Sequence, residues 1–405
     1  MNIERILTSP LCTKQLGLAI SFVLCAGLSH DALAANWIAI QGMEPANAAP
    51  LRLFGFTQGT YEQLVNTGDA QSSASSFNVR RARLGARGAI ADGRVNYLLL
   101  TEFGNNAITR QDSAALMDAS VTFKLLPGLR LRAGQFKQPT MDEALEGNPY
   151  ASDFINFSLI AAQLAQENKI IVDPNNPGVN RFVGGINAFR DVGVQAFDVF
   201  RQDAMEYTYA LMLSNGRFGG TDDNDDKDLT GRLQASHIFK GASNPALREE
   251  LSAFVWHSEG RRNYNAQDYR RMRQGLGVHY NRAPWRFRAE YVRAEGMIET
   301  GLTPQLEGGT PTLAPTGEAE GWYALGSYSL NRNWELNLRY DTLDRLTNQG
   351  ASERDFSTWT LGGQYIFSPQ ARVMLNYEIR DVSAPQGGIA PALPERVSAQ
   401  AVLTF

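Results

Sequence analysis

Residues 334–341 read Trp-Glu-Leu-Asn-Leu-Arg-Tyr-Asp, a strict alternation of apolar and polar side chains. Successive side chains of a β-strand point to opposite faces, so this spacing predicts a strand with one apolar and one polar face. Residues 373–380, Val-Met-Leu-Asn-Tyr-Glu-Ile-Arg, follow nearly the same pattern. Sixteen such runs succeed one another between residue 51 and the C-terminus.

The predicted strands cover 51–64, 77–90, 93–103, 114–126, 129–136, 190–203, 205–217, 228–240, 247–260, 269–282, 284–298, 319–330, 332–345, 355–367, 370–382 and 395–405. Gaps after even-numbered strands are short turns, and gaps after odd-numbered strands are longer. This parity is typical of a closed antiparallel β-barrel with a turn side and a loop side. An even number of strands puts both termini on the turn side, which faces the periplasm in bacterial outer membranes.

Aromatic residues recur near the strand ends: Trp285, Tyr291, Trp334, Tyr340, Tyr365 and Phe367. Such positions are typical of the interfacial girdles of membrane barrels. In a soluble sandwich, by contrast, the apolar face would point inward. We therefore expect an all-β transmembrane barrel whose apolar face contacts lipid and whose polar face lines a lumen.

The N-terminus has the features of a secretory signal peptide. Basic residues precede the apolar run 16–28, and the small residues of Ala32-Leu33-Ala34 precede the expected cleavage site. A membrane anchor is the alternative, but the run is too short to span a bilayer. The sequence thus predicts a signal peptide (1–34), a periplasmic N-terminal segment (35–50) and the barrel (51–405). Both cysteines lie in the signal peptide, which excludes a disulfide-stabilised mature chain.

Arginine dominates the cationic side chains, with 32 Arg against 6 Lys in a chain of net charge −4. Strand parity puts a group of arginines on the lumen face at several depths, where such a ladder favours anions. These are Arg81, Arg83, Arg87, Arg130, Arg132, Arg271, Arg273, Arg286 and Arg288. Arg80 has lipid-facing parity and is expected to snorkel at the rim. The alternative is a lining in which Glu290, Glu335 and Glu378 neutralise the arginines.

The gap 137–189 is far longer than any other and forms the third long loop. Loops of this length are usually functional. Folded into the lumen, it would narrow the channel and create a transverse field; an external loop is the alternative. Its candidate constriction residues are Lys137, Asp142, Glu143, Glu146 and Asp153.

Evidence for an enzyme is weak. The mature chain has three histidines, His237, His257 and His279, and lacks nucleophile-elbow, metal-spaced and phosphate-cradling motifs. Neighbouring His257 and Ser258 point to opposite faces of one strand and cannot pair directly. We expect no catalytic residue, metal or cofactor, and no nucleic-acid partner.

Several short motifs resemble the phosphate-selective porin O and P family of Gram-negative outer membranes. They are Phe77–Gly88 (FNVRRARLGARG), Gly134–Pro139 (GQFKQP), Arg190–Gln195 (RDVGVQ), Ser214–Gly216 (SNG) and the final strand. The resemblance implies a trimer of sixteen-stranded porins with an inward-folded third loop and an arginine-lined path for anions. The terminal Phe405 resembles the signal that the barrel-assembly machinery reads, and outer-membrane lipid and lipopolysaccharide are the expected surroundings.

The expected function is passive diffusion of small hydrophilic solutes, with a preference for anions such as phosphate. A weakly selective or cation-tolerant porin with a neutralised lumen is the first alternative. A barrel-based outer-membrane enzyme or adhesin is the second.

Overall fold

The computed structural model describes residues 37–38, 42–44, 48–65, 75–105, 114–146, 152–166, 168–172, 180–185, 189–216, 224–240, 248–265, 267–300, 312–388, 390 and 392–405. The expected signal peptide, 1–34, lies outside these residues. None of the helices in the described ranges is long and apolar enough to cross a membrane.

Sixteen strands form a closed antiparallel barrel, in which each strand pairs with the next along the barrel and the last pairs with the first. They are β1 (Arg52–Val65), β2 (Ser75–Ile90), β3 (Val95–Glu102), β4 (Ala115–Leu126), β5 (Leu129–Lys137), β8 (Arg190–Gln202), β9 (Met205–Ser214), β10 (Asp228–Lys240), β11 (Glu249–Tyr264), β12 (Gln267–Arg282), β13 (Trp285–Glu295), β16 (Glu318–Ser329), β17 (Trp334–Arg345), β18 (Arg354–Ser368), β19 (Ala371–Ser383) and β20 (Glu395–Thr404). The sixteen-stranded prediction is confirmed, and the observed ends lie within four residues of the predicted ends.

Smaller elements lie in the loops between barrel strands. Two hairpins are β6 (Asn168–Val172) with β7 (Asn180–Gly185), and β14 (Ile298–Thr300) with β15 (Thr312–Ala314). The helical elements are α1 (Asp142–Leu145), a π-helical turn (Ala161–Ala165) and a 3₁₀ turn (Gly350–Ser352).

The prediction of a loop at 261–268 is wrong, because most of these residues belong to strands. β11 and β12 continue to Tyr264 and Gln267, and their register extends through Arg262 opposite Tyr269. Arg262 turns inward and its guanidinium lies 2.7 Å from the carboxylate of Asp228. The outward side chains of this extension are polar, so its sequence resembles a loop although its backbone completes a ladder.

The two faces of the barrel follow the alternation of the sequence. In β17, Glu335 and Arg339 are buried, whereas Trp334 and Leu338 are exposed. The outer face carries two rows of aromatic contacts. One contains Trp334 against Tyr365 (ring centroids 4.9 Å apart), and the other contains Tyr340 against Trp359 (4.6 Å). Trp334 and Tyr340 are six residues apart, about 20 Å along a strand, as two interfacial girdles require.

The seam between β20 and β1 closes at the last residue. The backbone N–H groups of Gly55 and Phe405 each donate to the other's carbonyl over 3.0 Å. A Cβ on Gly55 would approach the Phe405 ring to 2.4 Å, so only glycine fits beneath that ring. The C-terminal aromatic residue is thus part of the closed ladder.

Candidate functional site

Five of the nine predicted lumen arginines form ion pairs with carboxylates. The pairs are Arg83 with Glu102 (2.7 Å), Arg130 with Asp198 (3.3 Å), Arg286 with Glu335 (2.6 Å) and with Asp153, Arg87 with Glu44, and Arg288 with Glu146. These pairs brace the wall, and each lowers the positive charge that the arginine presents to a solute.

Arg81 and Arg132 have no carboxylate partner among the described residues. Arg81 donates to the side chain of Gln58 over 3.0 Å, and its guanidinium lies 5.5 Å from the centre of the Phe157 ring. Arg132 donates through Nε to Ser120 over 3.0 Å, while its Nη1 and Nη2 find no hydrogen-bond partner there. Arg132 is 1% exposed, so of the two it is Arg81 that is placed to meet a passing solute.

Arg271 and Arg273 donate hydrogen bonds to backbone carbonyl groups of the long loop. Both donate to the carbonyl of Leu164, over 3.4 and 2.9 Å. Arg273 also donates to the carbonyl oxygens of Gly296 and Met297. These two arginines therefore fasten the π-helical turn of the long loop to the barrel wall.

Arg80 does not snorkel into lipid. The register of β1 against β2 skips it: Gln58 faces Arg81 and the adjacent Gly59 faces Val79. This bulge reverses the parity of β2, so the Arg80 side chain turns inward and donates to Asn156 over 2.6 Å. A bulge inserts one unpaired residue, which simple alternation cannot reveal.

The described residues of the long loop contact buried side chains on the inner face of the barrel. Asn337 donates to the carbonyl of Asp153 over 2.8 Å, and the N–H of Ile155 donates to Asn376 over 2.7 Å. The N–H of Leu159 donates to Asp341 over 2.8 Å. Apolar side chains add to this attachment in a shared buried cluster: Met141, Phe154, Leu159, Ile160, Leu164, Trp256, Val292, Tyr323 and Leu343.

The candidate constriction residues anchor this loop. Lys137 donates to the carbonyl oxygens of Ala144 (2.7 Å) and Glu146 (2.5 Å), closing the base of α1. Asp153 pairs with Arg286, and Glu146 pairs with Arg288. The charges of Asp153 and Glu146 are therefore balanced within the wall.

Neighbouring Asp142 and Glu143 of α1 have opposite pKa shifts. Burial opposes ionisation of Asp142, but Arg288, His279 and Arg232 outweigh it and hold its pKa below the ordinary value.

For Glu143 burial prevails and raises its pKa, although Arg339 and two donors of Ser158 favour the charged form. Two adjacent carboxyl groups thus respond differently to pH.

Further inward arginines were not singled out from the sequence. Arg232 donates to the carbonyl of Thr140 over 2.5 Å and stacks on the Phe254 ring at 3.9 Å. Arg339 pairs with Asp341 at 2.9 Å and donates to the carbonyl of Asn156 over 3.0 Å. Strand parity alone would have identified both, since Arg339 stands on the polar face of 334–341.

The described residues of the N-terminal segment contact the inner face of the barrel wall. The indole of Trp37 donates to Gln234 over 3.0 Å, and Trp37 and Ile38 are buried in a cluster that includes Leu145 of α1 and Phe197 of β8.

Its later residues contact strands near the turn side. Asn96 donates to the carbonyl of Gly42 over 3.3 Å, and Glu44 pairs with Arg87 and with Arg52. Trp37 and Ile38 thus pack on apolar residues of the inner wall, and Glu44 binds two of its arginines.

Cavities lie between the described residues of the loop and the wall. One, with an empty volume of about 390 Å³, is lined by Arg81, Glu143, Glu146, Asp153, Phe157 and Arg288 among others. The second, of about 360 Å³, lies between the loop and β17–β20. No group of three or more His, Cys, Asp or Glu side chains suited to a metal occurs in the described part of the chain.

Solved structures that include a porin and other Omp proteins share this fold. An anion-selective porin from Comamonas acidovorans is 13% identical, with a TM-score of 0.58 over 89% of this chain and 100% of that one. OmpF of Salmonella typhi, in complex with daunomycin, is 12% identical (TM-score 0.58; 88% and 97%). OmpT of Vibrio cholerae in a trimer form is 13% identical (TM-score 0.54; 88% and 99%).

A search of curated proteins finds no match to this chain. The family model described as phosphate-selective porin O and P matches residues 54–151 and 259–405. These segments contain the arginine-rich β2 and the C-terminal seam, and they make up more than half of the sequence. The chain therefore belongs to the phosphate-selective porin O and P family and forms a β-barrel channel of the Gram-negative outer membrane.

Proposed function

We propose that this channel passes small hydrophilic solutes by passive diffusion and favours anions such as phosphate. The observation that carries the proposal is Arg81, a lumen guanidinium without a carboxylate partner among the described residues, which lines a cavity with Phe157 of the long loop. An unneutralised guanidinium lowers the energy of an anion beside it and raises that of a cation.

The other arginines contribute unequally. Arg83, Arg87, Arg130, Arg286 and Arg288 set the electrostatic background, because each is paired with a carboxylate. Arg132 is buried, so its positive charge acts on a solute only from a distance. Arg271 and Arg273 position the long loop. We expect moderate anion preference, between a pure arginine filter and a neutralised lining.

The long loop constricts the channel in this proposal. Its contacts with the wall at Asp153, Ile155 and Leu159 support that role. The side of the loop that carries Glu143 and Phe157 faces the cavity that contains Arg81. Facing charges of opposite sign create the transverse field expected at 137–189.

The proposal also includes the assembly and surroundings of the porin. A homotrimer in outer-membrane lipid and lipopolysaccharide is supported by the trimer form of the structurally similar OmpT. Insertion by the barrel-assembly machinery through Phe405 is supported by the place of that residue at the closing seam.

Reversal potentials in planar bilayers under a KCl gradient test the function. The wild-type channel should give a potential of anion sign, and Arg81→Glu should move it towards cations. One elementary charge at about 4 Å in water changes an ion's energy by about 1 kcal/mol, which is about fivefold for one ion. Arg81→Glu changes the charge by two units and acts with opposite sign on anions and cations, so the permeability ratio should change by well over fivefold.

Arg94→Glu is the matched control, since Arg94 lies in the turn between β2 and β3 and is exposed. It should leave the ratio close to the wild-type value. A wild-type potential of cation sign would contradict the proposal, as would equal effects of the two substitutions.

A further inference from the structure

The cavity that contains Arg81 carries opposite charges on its two sides. Arg81 of β2 belongs to the barrel wall, whereas Glu143, Glu146 and Asp153 belong to the long loop. Within the described residues, no ion pair joins Arg81 to any of these three carboxylates. A cation and three carboxylates therefore border the same empty space of about 390 Å³, a size within the range of about 300–1,000 Å³ for small-molecule pockets.

Asp153 has an unsatisfied oxygen atom at this cavity. The residue is 3% exposed, and its Oδ1 is bound by Arg286. Its Oδ2 is buried and has no hydrogen-bond partner among the described residues. A buried acceptor without a donor is costly. The loop side of the cavity thus lacks a donor, which a cationic N–H group of a solute would supply.

The wall side is cationic when its ion pairs are counted. Three arginines act on Arg81, and each has a carboxylate partner: Arg80 with Glu62 (3.3 Å), Arg83 with Glu102 (2.7 Å) and Arg190 with Asp118 (2.8 Å). Lys137 belongs to the same group and donates to two carbonyl oxygens of the loop. Five cations therefore stand against three carboxylates, and of these cations it is Arg81 that lines the cavity.

The loop side is anionic by the same count. Three arginines are each shared by two carboxylates: Arg286 by Asp153 and Glu335, Arg288 by Glu146 and Asp142, and Arg339 by Glu143 and Asp341. Arg232 is shared by Asp142 and Glu290, and Arg372 donates to the carbonyl of Ser152. Five guanidinium groups thus stand against seven carboxylates, and His279 beside Asp142 adds a cation only when it is protonated.

The charges beyond Arg339 do not change this polarity. Glu378 acts on Arg339 and is itself bound by Arg396 (2.5 Å). Arg380 lies farther along, in the lining of the second cavity. The cavity that contains Arg81 is therefore polarised between the wall and the loop.

Apolar side chains complete the lining and limit which solutes fit. Phe154, Ile155 and Phe157 of the loop and Leu325 of β16 border the same space. A small anion passes beside Arg81 alone, whereas a solute large enough to fill the cavity also meets the loop carboxylates. Those carboxylates repel a purely anionic solute, and Arg81 repels a purely cationic one. A zwitterion with an apolar body matches both sides and the lining between them.

We propose that this cavity is a binding subsite for zwitterionic amino acids with an apolar side chain. The carboxylate of the amino acid lies against Arg81, its ammonium group against Asp153 and Glu143, and its side chain against Phe157 and Leu325. The subsite deepens the proposed function and rests on it, because the solute reaches the cavity by passive diffusion through the channel.

The test measures block of ion current through the full mature protein in planar bilayers, after the reversal potential is recorded. The probes are leucine, 4-methylpentanoate, which lacks the ammonium group of leucine, and 3-methylbutylamine, which lacks its carboxylate. All three carry the same branched apolar body. Leucine should halve the conductance at a concentration about tenfold below that of either analogue, because each analogue loses hydrogen bonds to a charged group.

Asp153→Asn separates the charge of the loop from its position. The substitution should raise the half-blocking concentration of leucine about tenfold and lower that of 4-methylpentanoate, because a carboxylate that binds ammonium and repels anions is removed. A displaced loop would instead weaken the block by both probes. Glu143→Gln should give the same crossover and is the second variant, in case Asp153→Asn alters the fold.

Glu206→Gln is the matched control. Glu206 is likewise buried and bound by an arginine, Arg248 (2.9 Å), but it does not line the cavity. The substitution should leave the ratio of the half-blocking concentrations of leucine and 4-methylpentanoate unchanged.

Three results would each overturn the subsite: block by leucine no stronger than block by its analogues, shifts of the same direction for leucine and 4-methylpentanoate in both loop variants, or an equal crossover in Glu206→Gln. The two proposals fail separately. A potential of anion sign without preferential block by leucine overturns the subsite alone, and a potential of cation sign with that block overturns the anion preference alone.

Discussion

At the scale of single residues, ion pairing decides which arginine can act on a solute. Glu143 shares a cavity with Arg81, and burial raises the pKa of its carboxyl group. As the pH falls through that raised pKa, Glu143 loses its charge and the anion preference should increase. Glu143→Gln should show the higher preference already at neutral pH and a flatter dependence on pH, measured as reversal potentials while the pH is lowered from neutral to the ordinary glutamate pKa of about 4.3.

Asp142 provides the control for this titration. The pKa of Asp142 is held below the ordinary value of an aspartate, which itself lies below that of a glutamate, so its carboxylate stays mostly ionised over this titration. Asp142→Asn should therefore retain the wild-type pH dependence. If Glu143→Gln titrates as steeply as the wild-type channel, Glu143 is not the group responsible.

At the scale of elements, the described parts of the N-terminal segment and of the long loop both contact side chains on the inner face of the barrel wall. The N-terminal segment meets the long loop where Trp37 and Leu145 share a buried cluster. Replacing residues 37–44 with a Gly/Ser stretch of equal length removes the apolar anchor and the partner of Arg87. Single-channel conductance should rise because the turn-side half of the lumen widens.

Glu44→Gln separates the charge of this segment from its bulk. It removes the carboxylate that Arg87 and Arg52 share but leaves Trp37 and Ile38 in place. We expect greater anion preference with nearly wild-type conductance. An unchanged conductance after replacement of 37–44 would show that the segment does not narrow the conducting path.

The barrel could be predicted from the sequence because strand alternation is local. Two adjacent residues such as Leu338 and Arg339 already show which side chain faces outward and which faces the lumen. The contacts that attach the long loop to particular strands could not be predicted, because they join residues as far apart as Asn156 and Ser398, 242 positions apart. Arg80 shows the same limit on a smaller scale, since one bulge reversed its face.

At the scale of the whole molecule, the last residue completes the seam between β20 and β1. Phe405 makes two backbone hydrogen bonds with Gly55, and its ring covers that glycine. Deleting Phe405 removes two hydrogen bonds worth about 1 kcal/mol each and shortens the pairing between β20 and β1, which then begins at Thr404 opposite Phe56. We expect less folded protein in the membrane and a lower unfolding temperature, read from heat-modifiable migration in gels. Phe405→Tyr keeps the backbone hydrogen bonds and the ring and should behave as wild type. Gly55→Val should resemble the deletion, because the valine side chain would collide with the Phe405 ring. Wild-type folding of the deletion variant would show that the seam closes without Phe405.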